Sequence, residues 1–336
     1  MQEYSFVKKA LLRELSENAR ATITELAKAA KCSRTTVINN LGALEKEFGI
    51  RYTIEFNEDE MNFSQRHVLR IEFTKKPKPE FIDSVFKDDK VAQFVAWIEG
   101  QFDLFVYAIT DSGRRYMKWE TDLAIKLAQY RPKIRPSEIE FTQLGYFPIS
   151  NEVLEAITFP RFKLDETDKK MLLLLNENAR IGYSDISRAL KINDDTVRYR
   201  FKRIMKMGVI KRFTIAIQKP PTTYNTVLFA RYRFGPGHES RASRIRNLYM
   251  DIDGPLPIMN TFQYVTPLTG TYRFFQMGCF EDEKAAQENG PGAQRKFFKE
   301  DIPTIYFGRI IKVIKGFLPY RNIDVRKNYQ ILKWED

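Results

Sequence analysis

Five cations crowd one short segment of this chain. In NDDTVRYRFKRIMKMG, residues 193–208, Arg198, Arg200, Lys202, Arg203 and Lys206 fall inside about four helical turns. Guanidinium and ammonium groups at that density neutralise phosphate oxygens, and an arginine fork can also pair bidentately with a base edge. A second segment, SRTTVINNLGALEKEFG at 33–49, repeats the apolar spacing with almost none of the charge. The elements that must position the cationic segment are therefore written twice.

Shifting the chain by 160 residues superposes ENAR at 17–20 on ENAR at 177–180, and Thr36-Val37 on Thr196-Val197. Leu12 then matches Leu172, Leu15 matches Leu175, Leu26 matches Ile186, Leu41 matches Phe201 and Leu44 matches Ile204. Such a period is far above that of a solenoid, so each copy is a domain-sized unit. The first third of each copy reads as three helices. Asp165 is placed to cap the first helix of the second copy, and Thr22 and Glu25 have capping-box spacing at the second helix of the first copy. Ser33 and Asn193 are placed to cap the third helix, in which Val37, Leu41 and Leu44, or Val197, Phe201 and Ile204, recur at i, i+4 and i+7 and face inward. Gly49 and Gly208 end that helix and turn the chain into the β-branched runs IRYTIEF and VIKRFTIAI.

The remainder of the first copy reads strand (RHVLRIEF), helix (PEFIDSVFKDDKVAQF), two strands joined through Gly100 (VAWIEGQFDLFVYAI), helix (WETDLAIKLAQY) and strand (IEFTQLGYFPI). That is βαββαβ, the ferredoxin-like order. The second copy keeps the strands TVLFARYRF, FQYVTPLTGTYRFFQMGCF and GRIIKVIKGFL, while glycine and proline in FGPGHES, DIDGPLPI and QENGPGAQ weaken the helices between them. Residues 151–163, NEVLEAITFPRFK, read as an ordered strand or packed linker. The expected fold class is α+β: winged helix-turn-helix domains at 1–57 and 164–218, each followed by a ferredoxin-like domain, at 66–150 and, in divergent form, at 222–336.

Composition narrows the classes. The chain of 336 residues carries a formal charge of +12, which favours polyanionic partners but does not locate them. No apolar run approaches the roughly 18 residues of a membrane span, and the amphipathic start is unlike a signal peptide, so the cytoplasm is the expected compartment. Cys32 and Cys279 with His67 and His238 are too few and too scattered for a zinc motif or a disulfide framework, and no cofactor is expected. The pairs Asp88-Asp89 and Glu281-Asp282 lie in polar stretches and read as solvated turns or helix ends.

Two helices joined by a tight turn, the second capped and exposed on its far side, form a helix-turn-helix, in which one helix braces while the next enters the major groove. With Val197, Phe201 and Ile204 inward, the outer face of the second copy presents Thr196, Tyr199, Lys202, Arg203 and Lys206, flanked by Arg198 and Arg200. Arg203 is the candidate for reading guanine, and Arg198, Arg200 and Lys206 for holding register through phosphates. Asp194 and Asp195 suit the positive end of the helix but repel phosphate. The first copy presents Thr35, Thr36, Asn39, Ala43 and Lys46, flanked by Arg34 and Asn40. Asn39 could pair with adenine and Thr35 or Ala43 could touch a thymine methyl; the alternative is a copy that retains only a packing role. The expectation is of unequal half-sites on double-stranded DNA, the second copy supplying most of the affinity.

At residues 164–217 the sequence LDETDKKMLLLLNENARIGYSDISRALKINDDTVRYRFKRIMKMGVIKRFTIAI resembles the N-terminal domain of the leucine-responsive/asparagine-synthetase regulator (Lrp/AsnC) family nearly end to end. Residues 1–56 match it more loosely. EGQFDLFVYAI, with Gly100 and Asp103, resembles the glycine and aspartate hairpin of that family's effector and assembly domain, whereas TGTYRFFQMG keeps Gly270 and has Arg273 in place of the acid. The resemblance implies a DNA-binding transcription regulator, nucleoid-associated, that pairs its βαββαβ domains and senses a small effector such as an amino acid. A chain with two such units resembles a fused dimer, leaving open whether one chain pairs its own halves or two chains pair as a homo-oligomer. Siroheme decarboxylases resemble the same fold in related halves, but their HNY and YNLWFT motifs are absent here. A ligand-sensing scaffold without DNA contact is the third reading, and the cationic face at 198–206 argues against it.

Overall fold

The computed structural model describes residues 6–57, 65–139, 147–156, 159, 161–219, 224–231, 261–267, 269–270, 272, 274–280, 282–292 and 304–320. In chain order the first copy forms α1 (Phe6–Glu17), α2 (Ile23–Ala30), α3 (Arg34–Phe48), β1 (Arg51–Phe56), β2 (Gln65–Phe73), α4 (Pro79–Phe86), β3 (Ala92–Gly100), β4 (Leu104–Thr110), α5 (Gly113–Leu127) and β5 (Pro132–Glu138). Helix α6 (Asn151–Ala156) leads into α7 (Glu166–Glu177), α8 (Tyr183–Leu190), α9 (Asp194–Met207) and β6 (Ile210–Ile217). The second copy continues with β7 (Tyr224–Arg231), β8 (Thr261–Pro267), β9 (Thr269–Gly270), β10 (Phe274–Phe280), α10 (Glu283–Gln287), β11 (Thr304–Lys315) and β12 (Leu318–Tyr320).

The two copies do not fold one after the other. One compact unit gathers residues 1–64, 147–219 and 316–320, and the other residues 65–146, 220–315 and 321–336, so each unit draws on both copies. In the first unit, β1, β6 and β12 form a sheet in the order β1-β6-β12. Strands β1 and β6 are antiparallel, with Thr53 opposite Thr214 and Ile54 opposite Phe213. Under the shift of 160 residues, Thr53 corresponds to Phe213 and Ile54 to Thr214. A pseudo-two-fold axis therefore passes through the middle of this ladder.

The repeated ENAR segments stitch the copies together around that axis. Ala19 N–H donates to the Phe213 carbonyl and Ala179 N–H to the Tyr52 carbonyl, both at 3.0 Å. Arg20 donates to the carbonyls of Ala179 (2.7 Å) and Ile181 (3.3 Å), and Arg180 returns the contact to the Ala21 carbonyl at 3.4 Å. The guanidinium of Arg20 also lies over the rings of Tyr183, Phe201 and Phe213, and that of Arg180 over Tyr52. Burial and the facing Arg180 lower the Arg20 pKa from its ordinary value, and the aromatic faces offset part of the desolvation cost.

The second unit is a nine-stranded sheet in the order β8-β10-β7-β11-β3-β4-β2-β5-β9. Strands β3-β4-β2-β5 and β8-β10-β7-β11 each have the ferredoxin-like order, one from each copy. The copies join antiparallel where β11 meets β3, with Ile310 opposite Ile98, and where β5 meets β9, with Ser137 opposite Gly270. On one face of the first copy's strands, Leu69, Ile71, Val95, Trp97 and Val106 pack under α4 and α5 through Phe86, Trp119 and Leu123. On the alternate face Phe105 stacks on Phe275, which also meets Phe229, so the two copies share an aromatic core. Gly100 has φ +147, and a Cβ there would come within 2.7 Å of the Phe307 carbonyl oxygen. Only glycine fits that close approach of β3 to β11.

Several expectations change. Helix α4 ends at Phe86 and β3 begins at Ala92, where one helix was expected over 79–94, and α5 begins at Gly113 where Trp119 was expected. The last strand of the first copy lies at Pro132–Glu138, ahead of the apolar run at 139–149, of which residues 140–146 lie outside the described part. Pro132 and Pro136 are tolerated there because β9 meets β5 only at Ser137 and Glu138 among the described residues. Residues 151–156, expected as a strand or packed linker, form α6, with Leu154 buried. Helix α10 is confined to Glu283–Gln287 and runs into a turn containing Pro291; FGPGHES and DIDGPLPI fall outside the described residues.

Candidate nucleic-acid interface

The helix-turn-helix of the second copy is set by caps. Asp165 accepts from Asp168 N–H at 2.9 Å and the Asp168 carboxylate accepts from Asp165 N–H at 3.1 Å, a reciprocal capping box at α7. Lys191 ends α8 in the left-handed conformation (φ 55), Ser187 Oγ donates to the Ile192 carbonyl at 2.6 Å, and Asn193 Oδ1 accepts from Thr196 N–H at 2.7 Å to open α9. The first copy repeats the plan, with a capping box from Thr22 and Glu25, Lys31 at φ 51 and Ser33 accepting from Thr36 N–H at 3.1 Å. Gly49 and Gly208 end the third helices with positive φ.

Val197 and Ile204 are fully buried and Phe201 stacks on Phe213, while Val37, Leu41 and Leu44 fill the same places in the first copy. The opposite face of α9 exposes Arg198, Tyr199, Lys202 and Lys206, with Tyr199 66% exposed and Thr196 half-buried beside its cap. Arg198 lies over the Tyr183 ring at 4.9 Å from its centroid.

Arg200 and Arg203 are placed otherwise than the periodicity suggests. Arg200 Nη1 donates to Asp165 at 2.6 Å and to Asp168 at 2.9 Å, and Arg203 Nη2 pairs with the same Asp168 carboxylate, which is wholly buried. Both arginines thus brace α9 against the start of α7 and are only partly exposed. The hydrogen bonds that Arg200 donates to Asp165 and Asp168 raise its pKa. Burial alone would raise the Asp165 carboxyl, but the Arg200 hydrogen bond and the Asp168 N–H outweigh it and hold that group below its usual value.

On α3, Arg34, Thr35, Asn39, Ala43 and Lys46 are exposed, as the spacing predicts. Thr36 is tied to Ser33, and Asn40 Nδ2 donates back to the Thr36 carbonyl at 2.8 Å. Ile38, which periodicity had not singled out, is 57% exposed at the position matching Arg198. Its mismatch with that arginine in the aligned copies was the available signal. The pseudo-two-fold axis places α3 and α9 in one body, so the chain pairs its own halves here.

The second unit holds a cavity of about 610 Å³ between the β3–β4 hairpin, β7 and β11, lined by Glu99, Gly100, Gln101, Tyr224, Glu283 and Arg309 among others. Arg309 pairs with Glu99 at 3.6 Å and lies over the Tyr224 ring. Burial and a hydrogen bond to Glu283 raise the Tyr224 pKa. Asp103 supports the hairpin, accepting from Phe73 N–H at 2.7 Å and pairing with Lys76 at 3.0 Å. Elsewhere His67 stacks on Tyr116 with ring centroids 3.5 Å apart, and burial pushes its pKa down to about 4. Among the described residues no group of three or more His, Cys, Asp and Glu could hold a metal ion. Neither Cys32 nor Cys279 is in a disulfide, and Cys279 is buried.

Residues 9–45 and 164–205 match the AsnC-type helix-turn-helix domain. The chain is 52% identical over 52 residues to the HTH-type transcriptional regulator LysM of Sulfurisphaera tokodaii, covering 16% of this chain and 37% of that protein. It is 41% identical over 76 residues to an uncharacterised HTH-type transcriptional regulator of Pyrococcus horikoshii, covering 22% and 48%. It therefore spans less than half the length of these curated relatives. Over nearly its whole length it is similar in fold to the crystal structure of the siroheme decarboxylase NirDL, with a TM-score of 0.55, 10% identity and coverage of 97% of this chain and 98% of that one. Two stretches of the chain thus match the AsnC-type helix-turn-helix domain, and over about 50 residues the chain is similar to HTH-type transcriptional regulators.

Proposed function

We propose that this chain is a sequence-specific regulator of transcription that binds double-stranded DNA beside the nucleoid, with α3 and α9 as its major-groove helices. One observation carries the reading: two capped helix-turn-helix copies lie in one body about a pseudo-two-fold axis, the arrangement by which paired helices address successive half-sites of a duplex. Arg198, Tyr199, Lys202 and Lys206 make the cationic contact on α9, and Arg34, Thr35 and Asn39 the more neutral one on α3. Arg200 and Arg203 act as braces through Asp168, and Thr36 and Asn40 as supports of α3. The cavity in the second unit, lined by the carboxylates Glu99 and Glu283 and the guanidinium of Arg309, suits a small zwitterion such as an amino acid as effector.

The test is a gel shift over a range of salt with the triple variant Arg198→Ala, Lys202→Ala, Lys206→Ala. Three lost phosphate contacts flatten the slope of log K against log salt by about 2.7; an unchanged slope and affinity would refute the assignment. A tetrapyrrole enzyme is the second reading, favoured by the whole-chain likeness of fold. Incubation with siroheme separates the two: the regulator binds none, and a stoichiometric Soret band would replace this reading with the enzymatic one.

A further inference from the structure

The pseudo-two-fold axis relates α3 to α9, yet the side chains they expose differ in chemistry over the middle turns, before the matching Lys46 and Lys206. Where α9 exposes Arg198, Tyr199 and Lys202, α3 has Ile38, Asn39 and Gly42. Ile38 is 57% exposed, and among the described residues none covers its side chain enough to make it core. An apolar group held in solvent on a groove-entering face has one complement in the major groove, the thymine C5-methyl, and Asn39 beside it matches the donor and acceptor pair of adenine.

Gly42 is an independent sign. It lies inside the fifteen-residue helix α3, where glycine costs about 1 kcal/mol relative to alanine. A Cβ at Gly42 would meet nothing within 4 Å, so packing inside the chain does not call for glycine. With Ala43 adjacent, the outer face of α3 is low enough for its backbone to lie close against base edges. The long cations of α9 instead hold that helix at the phosphates.

We infer that the DNA target is non-palindromic: α3 reads an A·T half-site through Ile38 and Asn39 at close backbone approach, and α9 anchors the other half electrostatically. This rests on the DNA-binding reading and specifies its target.

The full chain is used to select duplexes from a random pool, and the recovered site is resynthesised with uracil for thymine in one half or the other. The expected site has unlike halves, one rich in A·T pairs. Uracil in that half weakens binding about fourfold for each contacted methyl, the ratio carried by burying one such group, and leaves the Ile38→Ala variant unaffected. Uracil in the other half changes nothing. Gly42→Ala raises the melting temperature and lowers affinity for the A·T half. A palindromic site, equal uracil effects in both halves, or tighter folding of Gly42→Ala with unchanged affinity overturns the inference and leaves DNA binding intact. Failure to enrich any duplex at low salt removes the DNA-binding reading and the inference together.

Discussion

Asp168 holds the cationic helix in place, and replacing it with asparagine tests how much. The carboxylate is fully buried, accepts from Arg200 and Arg203 of α9, and closes the capping box of α7 through Asp165 N–H. Asparagine keeps the volume and one acceptor oxygen but removes the charge that two guanidinium groups share. Breaking a buried pair by removing one partner costs about 3–5 kcal/mol. Here the arginine side chains are 21% and 30% exposed and Asp165 stands 2.6 Å from Arg200. Solvent and that second carboxylate screen part of the loss, so about 3 kcal/mol is expected, at the lower end of that range. In a unit of this size each kcal/mol moves Tm by about 2–4 °C, which gives a fall of about 6–12 °C in Asp168→Asn. The freed Arg200 and Arg203 become available to phosphate, so the same variant should show a steeper salt dependence of DNA binding, by up to about 1.8 in slope. Thermal unfolding by circular dichroism and a salt-titrated gel shift read the two effects. A variant that melts with the wild type would show that the network does not brace α9; a large fall in Tm with an unsteepened slope would show that the arginines do not reach DNA when released.

Two further outcomes follow from the second unit. Burial lowers the His67 pKa to about 4 from an ordinary 6.5, so the unfolded chain protonates first as pH falls. Stability is unaffected above about pH 6.5 and drops as pH falls from there towards 4, by at most about 3 kcal/mol; chemical denaturation at stepped pH should show this decline, and His67→Phe should flatten it. Gly100→Ala meets both a positive φ and the Phe307 carbonyl, so a loss of about 2–3 kcal/mol is expected where the two copies join, read as a lower denaturant midpoint at unchanged DNA half-site preference.

Much of the helix-turn-helix was legible in the residues because its signals are local. The caps at Asp165, Asn193, Thr22 and Ser33, the glycines that end α3 and α9, and the inward triads Val37-Leu41-Leu44 and Val197-Phe201-Ile204 act within one or two helical turns, and each is where its spacing puts it. The duplication and the βαββαβ order of the first copy were legible for the same reason. The strand at 132–138 was not, because Pro132 and Pro136 read as breakers until its sparse pairing on the β9 side is known.

By itself the sequence determined the helices of the two helix-turn-helix copies, the caps that open them and the apolar face each buries, since hydrophobic period and capping chemistry are complete within about four neighbouring residues. Only the tertiary structure decided what those faces meet. It turned Arg200 and Arg203 to carboxylates more than thirty residues upstream, made the repeated ENAR a stitch across some 160 residues, and assembled the two copies into interleaved units. A charged side chain's partner is set by the chain's path through space, and the periodicity of a single helix carries no record of that path.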